Sequence, residues 1–153
     1  MFFLHENCLT PVIATRILRG VKMSFYSWLA VGVGGITGCW LRWWFNITLT
    51  PLFPTLPLGT LVSNLVAGFL MGISMELFAR HSEIPPEVRL LIMTGFLGGL
   101  STFSTFSGDV VTLLSRQEYL WSTFAITAHV VGSILLTILG IFTARLLLSG
   151  GAS

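Results

Sequence analysis

The chain has 153 residues, of which 54% are hydrophobic and only 9% charged, with a formal net charge of +2 and a mean hydropathy of +0.87. A soluble domain carries about a quarter charged residues, so this composition excludes an ordinary soluble enzyme and indicates an integral membrane protein. No nucleic-acid partner is expected; the surrounding medium is the lipid bilayer.

Residues 1–22 form an atypical N-terminal extension, with Arg16, Arg19 and Lys22 around a short apolar run that contains Pro11. Gly20-Val21-Lys22 is a poor cleavage site for a signal peptide, and an apolar stretch follows almost at once. The extension is read as disordered or as the product of an upstream start, with Met23 opening a membrane domain over residues 23–153. Each membrane crossing needs about 20 apolar residues. Four such stretches fit, at about residues 28–45, 58–78, 90–114 and 121–148. The last two are long enough to require tilt or a break. Pro51, Pro54 and Pro57 mark the first connection, Pro85 and Pro86 the second, and Arg116-Gln117-Glu118 the third. The expected fold is all-α, with four transmembrane helices and the third broken mid-span. Four helices make a thin wall, so oligomerisation follows from size. Cys8 and Cys39 are read as two free thiols.

From Met23 onward five arginines (Arg42, Arg80, Arg89, Arg116, Arg145) balance five acids (Glu76, Glu83, Glu87, Asp109, Glu118). With four spans, Arg80, Arg89 and Arg145 fall on one side and Arg42 and Arg116 on the other. Three against two is almost no bias, and loop arginine bias is what sets insertion direction. Insertion both ways is expected, which permits an antiparallel homodimer.

On the first span Gly34, Gly38 and Arg42 share a face at steps of four; the glycines suit helix packing. Arg42 either snorkels to the headgroups or adds a fixed positive charge to a wet vestibule. On the second, Asn64, Gly68 and Gly72 make a stripe. Asn64 is either interhelical glue or an amide donor to an anion, with the glycines leaving space beside it. The third span carries Gly98-Gly99-Leu100-Ser101-Thr102-Phe103-Ser104-Thr105-Phe106-Ser107. Adjacent glycines free backbone carbonyls, and five hydroxyls exceed what back-bonding to a helix explains. Phe103 and Phe106 are packing residues or, through their positive ring edges, the lining of an anion path. On the fourth, His129, Ser133 and Thr137 recur every four residues; His129 reads as hydrogen-bonded structure, with no partner spaced to complete a metal site. Glu76 and Asp109 lie toward helix ends, so no mid-span carboxylate supports proton-coupled transport. No nucleophile–base set or phosphate loop points to an enzyme.

In Gly34-Gly35-Ile36-Thr37-Gly38-Cys39-Trp40-Leu41-Arg42, Pro57-Leu58-Gly59-Thr60-Leu61-Val62-Ser63-Asn64 and the tract from Gly98 to Ser107, taken in that order, the chain resembles the Fluc (CrcB) family of bacterial fluoride channels. The resemblance implies a dual-topology antiparallel homodimer in the inner membrane that passively exports fluoride. It implies Asn64 as the pore asparagine, Phe103 and Phe106 as the aromatic edges, and Ser104, Thr105, Ser107 and Ser133 as a hydroxyl track. It also implies a structural sodium ion (Na+) on the backbone carbonyls of Gly98 and Ser101. The extension and Gly108-Asp109, where glutamate is frequent, depart from the family pattern. The rival readings are a small dual-topology multidrug exporter, which needs an acid absent from the first span, and a non-conducting membrane scaffold.

Overall fold

The computed structural model describes residues 24–53 and 55–149. The N-terminal extension with Cys8, the start at Met1 or Met23, and Pro54 lie outside the described residues. Helix α1 (Phe25–Leu49) starts where the Ser24 side chain accepts from the Tyr26 N–H, 3.3 Å away. A short 3-10 turn (Thr50–Leu52) carries Pro51 at its start and leads to α2 (Leu58–Arg80). The third rod begins at α3 (Pro86–Arg89), where Pro86 occupies a first-turn position whose missing N–H has no helical partner anyway. It continues as a π-helical stretch (Leu90–Phe96) and a last turn, α4 (Leu97–Leu100). The chain is extended at Ser101 and Thr102 and then resumes as α5 (Phe103–Ser115). Gln117, at φ 61°, turns the chain into α6 (Tyr119–Ser149). All the regular structure among the described residues is helical.

Glycines set the packing. A Cβ on Gly34 would run into the Leu91 carbonyl, and one on Gly38 into the Phe96 carbonyl. Gly99 meets the Gly35 carbonyl in the same seam, so α1 lies backbone to backbone on the π-helical stretch and α4. On the other side, Gly72 abuts the Thr137 carbonyl and Gly140 the Phe69 carbonyl, which brings α2 tightly onto α6. Without water to drive association, close approach of small residues is what holds membrane helices together. Gly68 sits 3.0 Å (at its would-be Cβ) from the Ser133 carbonyl, so the glycines beside Asn64 serve α6 contact rather than open space.

Among the described residues, three helical rods are long and apolar enough to cross a membrane: Leu58–Arg80, Pro86–Ser115 and Tyr119–Ser149. Helix α1 has the length, at 25 residues, but its glycines, tryptophans and Arg42 dilute its apolarity. Of the two long spans, only the third is broken. The 31 residues of α6 run unbroken for about 46 Å, well beyond the roughly 30 Å hydrocarbon layer. It must therefore tilt or project.

Candidate functional site

The site is built around the gap between α4 and α5. Glycine has poor helix propensity, and Ser and Thr offer the backbone competing local hydrogen bonds, so Gly98-Gly99-Leu100-Ser101-Thr102 is where a helix fails. Thr102 caps α5, its Oγ1 accepting from the Thr105 N–H at 3.2 Å. Its own N–H donates to Asn64 Oδ1 at 2.7 Å, and its carbonyl accepts from Asn64 Nδ2 at 3.1 Å. One side chain of α2 thus satisfies both backbone groups of the broken residue. In a continuous helix, the Thr102 N–H would close the turn on the Gly98 carbonyl and the Thr105 N–H the turn on Ser101. Both donors are diverted, which releases those two carbonyls from the helical ladder.

Asn64 has a second partner. Its Nδ2 lies 3.0 Å from His129 Nδ1 on α6. Because the backbone of Thr102 fixes which end of the amide is nitrogen, Nδ1 must be the acceptor. His129 is 5% exposed and its ring stacks on Phe106, with centroids 4.5 Å apart and planes inclined by 29°. Phe106 in turn meets Phe103 edge-on at 5.5 Å.

These groups line a cleft of about 370 Å³ between α2, the break and α6. Of the path and sodium-site residues that the resemblance implies, it gathers Asn64, Ser101, Phe103, Phe106 and Ser133, and it adds Gly68, Thr102, His129 and Thr137. Phe106 is buried and Phe103 is 78% exposed. Ser104, Thr105 and Ser107 occupy the first turns of α5 outside that lining. Thr105 Oγ1 accepts from Thr102 Oγ1 at 2.9 Å, Ser104 Oγ lies 3.3 Å from the same hydroxyl, and Ser107 Oγ donates back to the Phe103 carbonyl at 2.9 Å. Gly98 is exposed, and a Cβ there meets only the Met93 carbonyl at 3.9 Å. Arg42 is half-buried away from the cleft, its Nη2 3.5 Å from Cys39 Sγ. Within the single chain both of the asparagine's N–H groups have protein acceptors, so it ties α2 to the break and to α6.

Sequence reasoning read His129 as hydrogen-bonded structure without naming its partner, and counted Thr102 among the hydroxyls without seeing it as the cap. Thr102 had a local signal, a hydroxyl residue directly before a helical run. The partner of His129 is 65 positions away, and no spacing rule reaches that far. Asp109 sits beside Thr60, and its Oδ2 is buried without a partner among the described residues. At one end of the bundle Glu76 joins α2 to α6, accepting from Arg80 Nε at 2.8 Å and Arg145 Nε at 3.0 Å.

The model of the family described as CrcB-like protein, Camphor Resistance (CrcB), matches residues 29–141. A curated relative from Nitrosospira multiformis, named fluoride-specific ion channel FluC, is 55% identical over 123 residues, covering 80% of this chain and 96% of its own. Relatives of the same name from Cupriavidus metallidurans and Tolumonas auensis are each 50% identical, covering 82% and 80% of this chain and 99% and 96% of theirs. The chain belongs to the CrcB family of membrane proteins.

Proposed function

We propose that the protein is a fluoride channel that lets fluoride leave the cytoplasm passively. The relatives' shared name carries this reading, since they match this chain at about half identity over nearly their whole length. The site chemistry supports it. The N-terminus of α5 points its first N–H groups at the break, and a helix N-terminus favours an anion. Fluoride is small and strongly hydrated, so conduction needs donors that replace water without holding the ion. Hydroxyls, N–H groups and the ring edges of Phe103 and Phe106 are of that kind, and a cluster of arginines is not. Ser104, Thr105, Ser107 and Ser133 extend the hydroxyl track, and Arg42 supplies the positive vestibule.

The chain works as an antiparallel homodimer in the bacterial inner membrane, with α1 as its fourth crossing. Trp28 and Trp44, both exposed, stand about 24 Å apart along α1, the spacing of an aromatic belt at each interface. The exposed positions of Phe103, Ser104 and Gly98 leave the polar tract for a second copy to cover. The carbonyls of Gly98 and Ser101, deprived of their helical donors, are hard oxygens suited to sodium. With the same pair from a second copy they would hold the ion as a structural tie. Purified protein in liposomes tests the reading. A fluoride electrode should register rapid efflux, with chloride left behind; no fluoride efflux, or chloride efflux as fast, defeats it.

A further inference from the structure

We propose that α2 and α6 together bind one anionic phospholipid, with its phosphate between Arg80 and Arg145 and an acyl chain in an apolar groove deeper in the membrane. The inference concerns the lipid around the protein and does not depend on fluoride conduction.

Glu76 builds the headgroup end. Its two carboxylate oxygens accept from Arg80 Nε at 2.8 Å and from Arg145 Nε at 3.0 Å, which draws guanidinium groups of two helices onto one point. The carboxylate side chain is 12% exposed and the arginines 41% and 56%, so the cations form the outer edge. Among the described residues the Nη groups of both arginines have no hydrogen-bond partner. Two positive charges against one negative leave an excess of one, and guanidinium groups match phosphate oxygens well. Arg89, on the same side, is engaged elsewhere: its Nη2 donates to the His81 carbonyl at 3.0 Å, and its guanidinium lies over the Phe78 ring. Among the described residues Glu83 and Glu87 make no ion pair with Arg80 or Arg145.

The clamp of Asn64 on Thr102 and His129 fixes the depth. The break at Ser101 and Thr102 halves the rod Pro86–Ser115 and so marks the bilayer centre, with Asn64 and His129 level with it. Arg80 follows Asn64 by sixteen residues (80 − 64), and Arg145 follows His129 by sixteen (145 − 129). Both therefore stand about 24 Å from the centre along their helices. The usual tilt brings them into the headgroup layer, whose outer edge is roughly 22 Å from the centre.

The groove holds about 370 Å³ and is lined by Val62, Leu65, Val66, Phe69 and Leu70 of α2 with Leu136 of α6, all apolar. It lies near the bilayer centre, where acyl chains end. Val62, Val66, Phe69 and Arg80 follow one another at four, three and eleven residues, one stripe of α2 that leads from the arginines into the groove. The cleft takes Asn64, Ala67, Gly68 and Met71 from α2, each two residues beyond a groove residue and so about 200° round the helix. A second copy that covers the polar tract thus leaves the groove to lipid.

Native mass spectrometry of the full chain, with phosphatidylglycerol or phosphatidylcholine of the same acyl chains, tests the site. Phosphatidylglycerol should be retained about fivefold or more over phosphatidylcholine. Equal retention overturns the proposal, and so does displacement of phosphatidylglycerol by inorganic phosphate at the same concentration, which would mark a plain anion site. Arg145→Gln should weaken retention about fivefold. Glu76→Gln keeps an acceptor between the arginines and removes the negative charge, so phosphatidylglycerol binding should strengthen about fivefold even as the melting temperature falls. A purely structural clasp predicts the lower melting temperature with unchanged or weaker lipid binding, and that result defeats the inference. Phosphatidylglycerol with a photoactivatable group at the chain end locates the tail on the wild-type protein, whether or not the variants fold. Label should fall within Val62–Leu70. Label elsewhere alone, or a Leu70→Cys disulfide that joins two copies across the groove, overturns the proposal.

Discussion

Replacing Asn64 with aspartate changes one atom of the clamp and inverts its chemistry. The Thr102 N–H keeps an acceptor at 2.7 Å, now charged. The amide nitrogen becomes an oxygen, 3.1 Å from the Thr102 carbonyl and 3.0 Å from His129 Nδ1. The Thr102 carbonyl keeps its bond within the first turn of α5 but now faces a carboxylate oxygen in place of the amide N–H, at about 1–3 kcal/mol. Placing a carboxylate at mid-membrane depth costs about 3 kcal/mol more, and the charge-assisted bond to the Thr102 N–H returns about 1 kcal/mol. His129 relieves its own contact by moving its proton to Nδ1, which strips the donor from Nε2. The net loss is about 3–5 kcal/mol, inside the usual 5–15 kcal/mol margin of a folded domain, so the protein should still fold. Its melting temperature in detergent should drop by roughly 6–20 °C. Fluoride efflux should disappear, since a fixed negative charge now stands in the proposed anion path. A melting temperature within about 2 °C of wild type, with efflux undiminished, refutes the clamp.

Three other substitutions probe separate parts of the fold. Gly38→Ala pushes a methyl group into the Phe96 carbonyl and to 2.8 Å from the Leu100 nitrogen. It should destabilise by about 1–3 kcal/mol, and an unchanged melting curve would show that α1 does not rest on the third rod as described. Phe106→Ala removes a buried ring stacked on His129 and should cost about 3–5 kcal/mol, whereas Phe103→Ala, at 78% exposure, should cost far less stability while still slowing efflux. Equal thermal losses would contradict that division. Gln117→Cys, in a background without Cys8 and Cys39, places a single thiol in the turn before α6. In protein started at Met23, a membrane-impermeant maleimide should label about half of the chains from outside, as the near-equal arginine counts of that segment require; labelling of all or none excludes dual insertion.

How much of this was legible in the sequence depends on the range of each signal. The break at Ser101 and Thr102 was readable because its causes are local, two glycines followed by hydroxyl residues that prefer turns and caps. The packing role of Gly34 and Gly38 was readable from their spacing of four on one helix. The extent of α1 was harder, since glycine, tryptophan and Arg42 lower its apolarity without shortening it. What could not be read was pairing across elements. Asn64 was seen as a choice between glue and donor, and only the positions of Thr102 and His129 show both of its N–H groups engaged. The glycines beside it looked like open space in one dimension and are contact points for α6 in three. Ser104, Thr105 and Ser107 form one track in the sequence, yet in the single chain they bond to Thr102 or to their own helix.

A single interruption gives this small protein two opposite binding tendencies. The end of α4 carries the partial negative charge of carbonyls without donors, and the start of α5 carries the partial positive charge of N–H groups without acceptors. Asn64 and the Thr102 hydroxyl decide how many of these groups are satisfied inside the chain. They take up the Thr102 and Thr105 N–H groups and thereby leave the Gly98 and Ser101 carbonyls open. A cation is favoured on the α4 side for the same reason that an anion is favoured on the α5 side. Substitutions that heal the helix, such as Gly98→Ala with Gly99→Ala, would therefore weaken both tendencies together. Loss of fluoride flux in that double variant with the proposed sodium tie intact, or the reverse, would show that the two arise from different parts of the molecule.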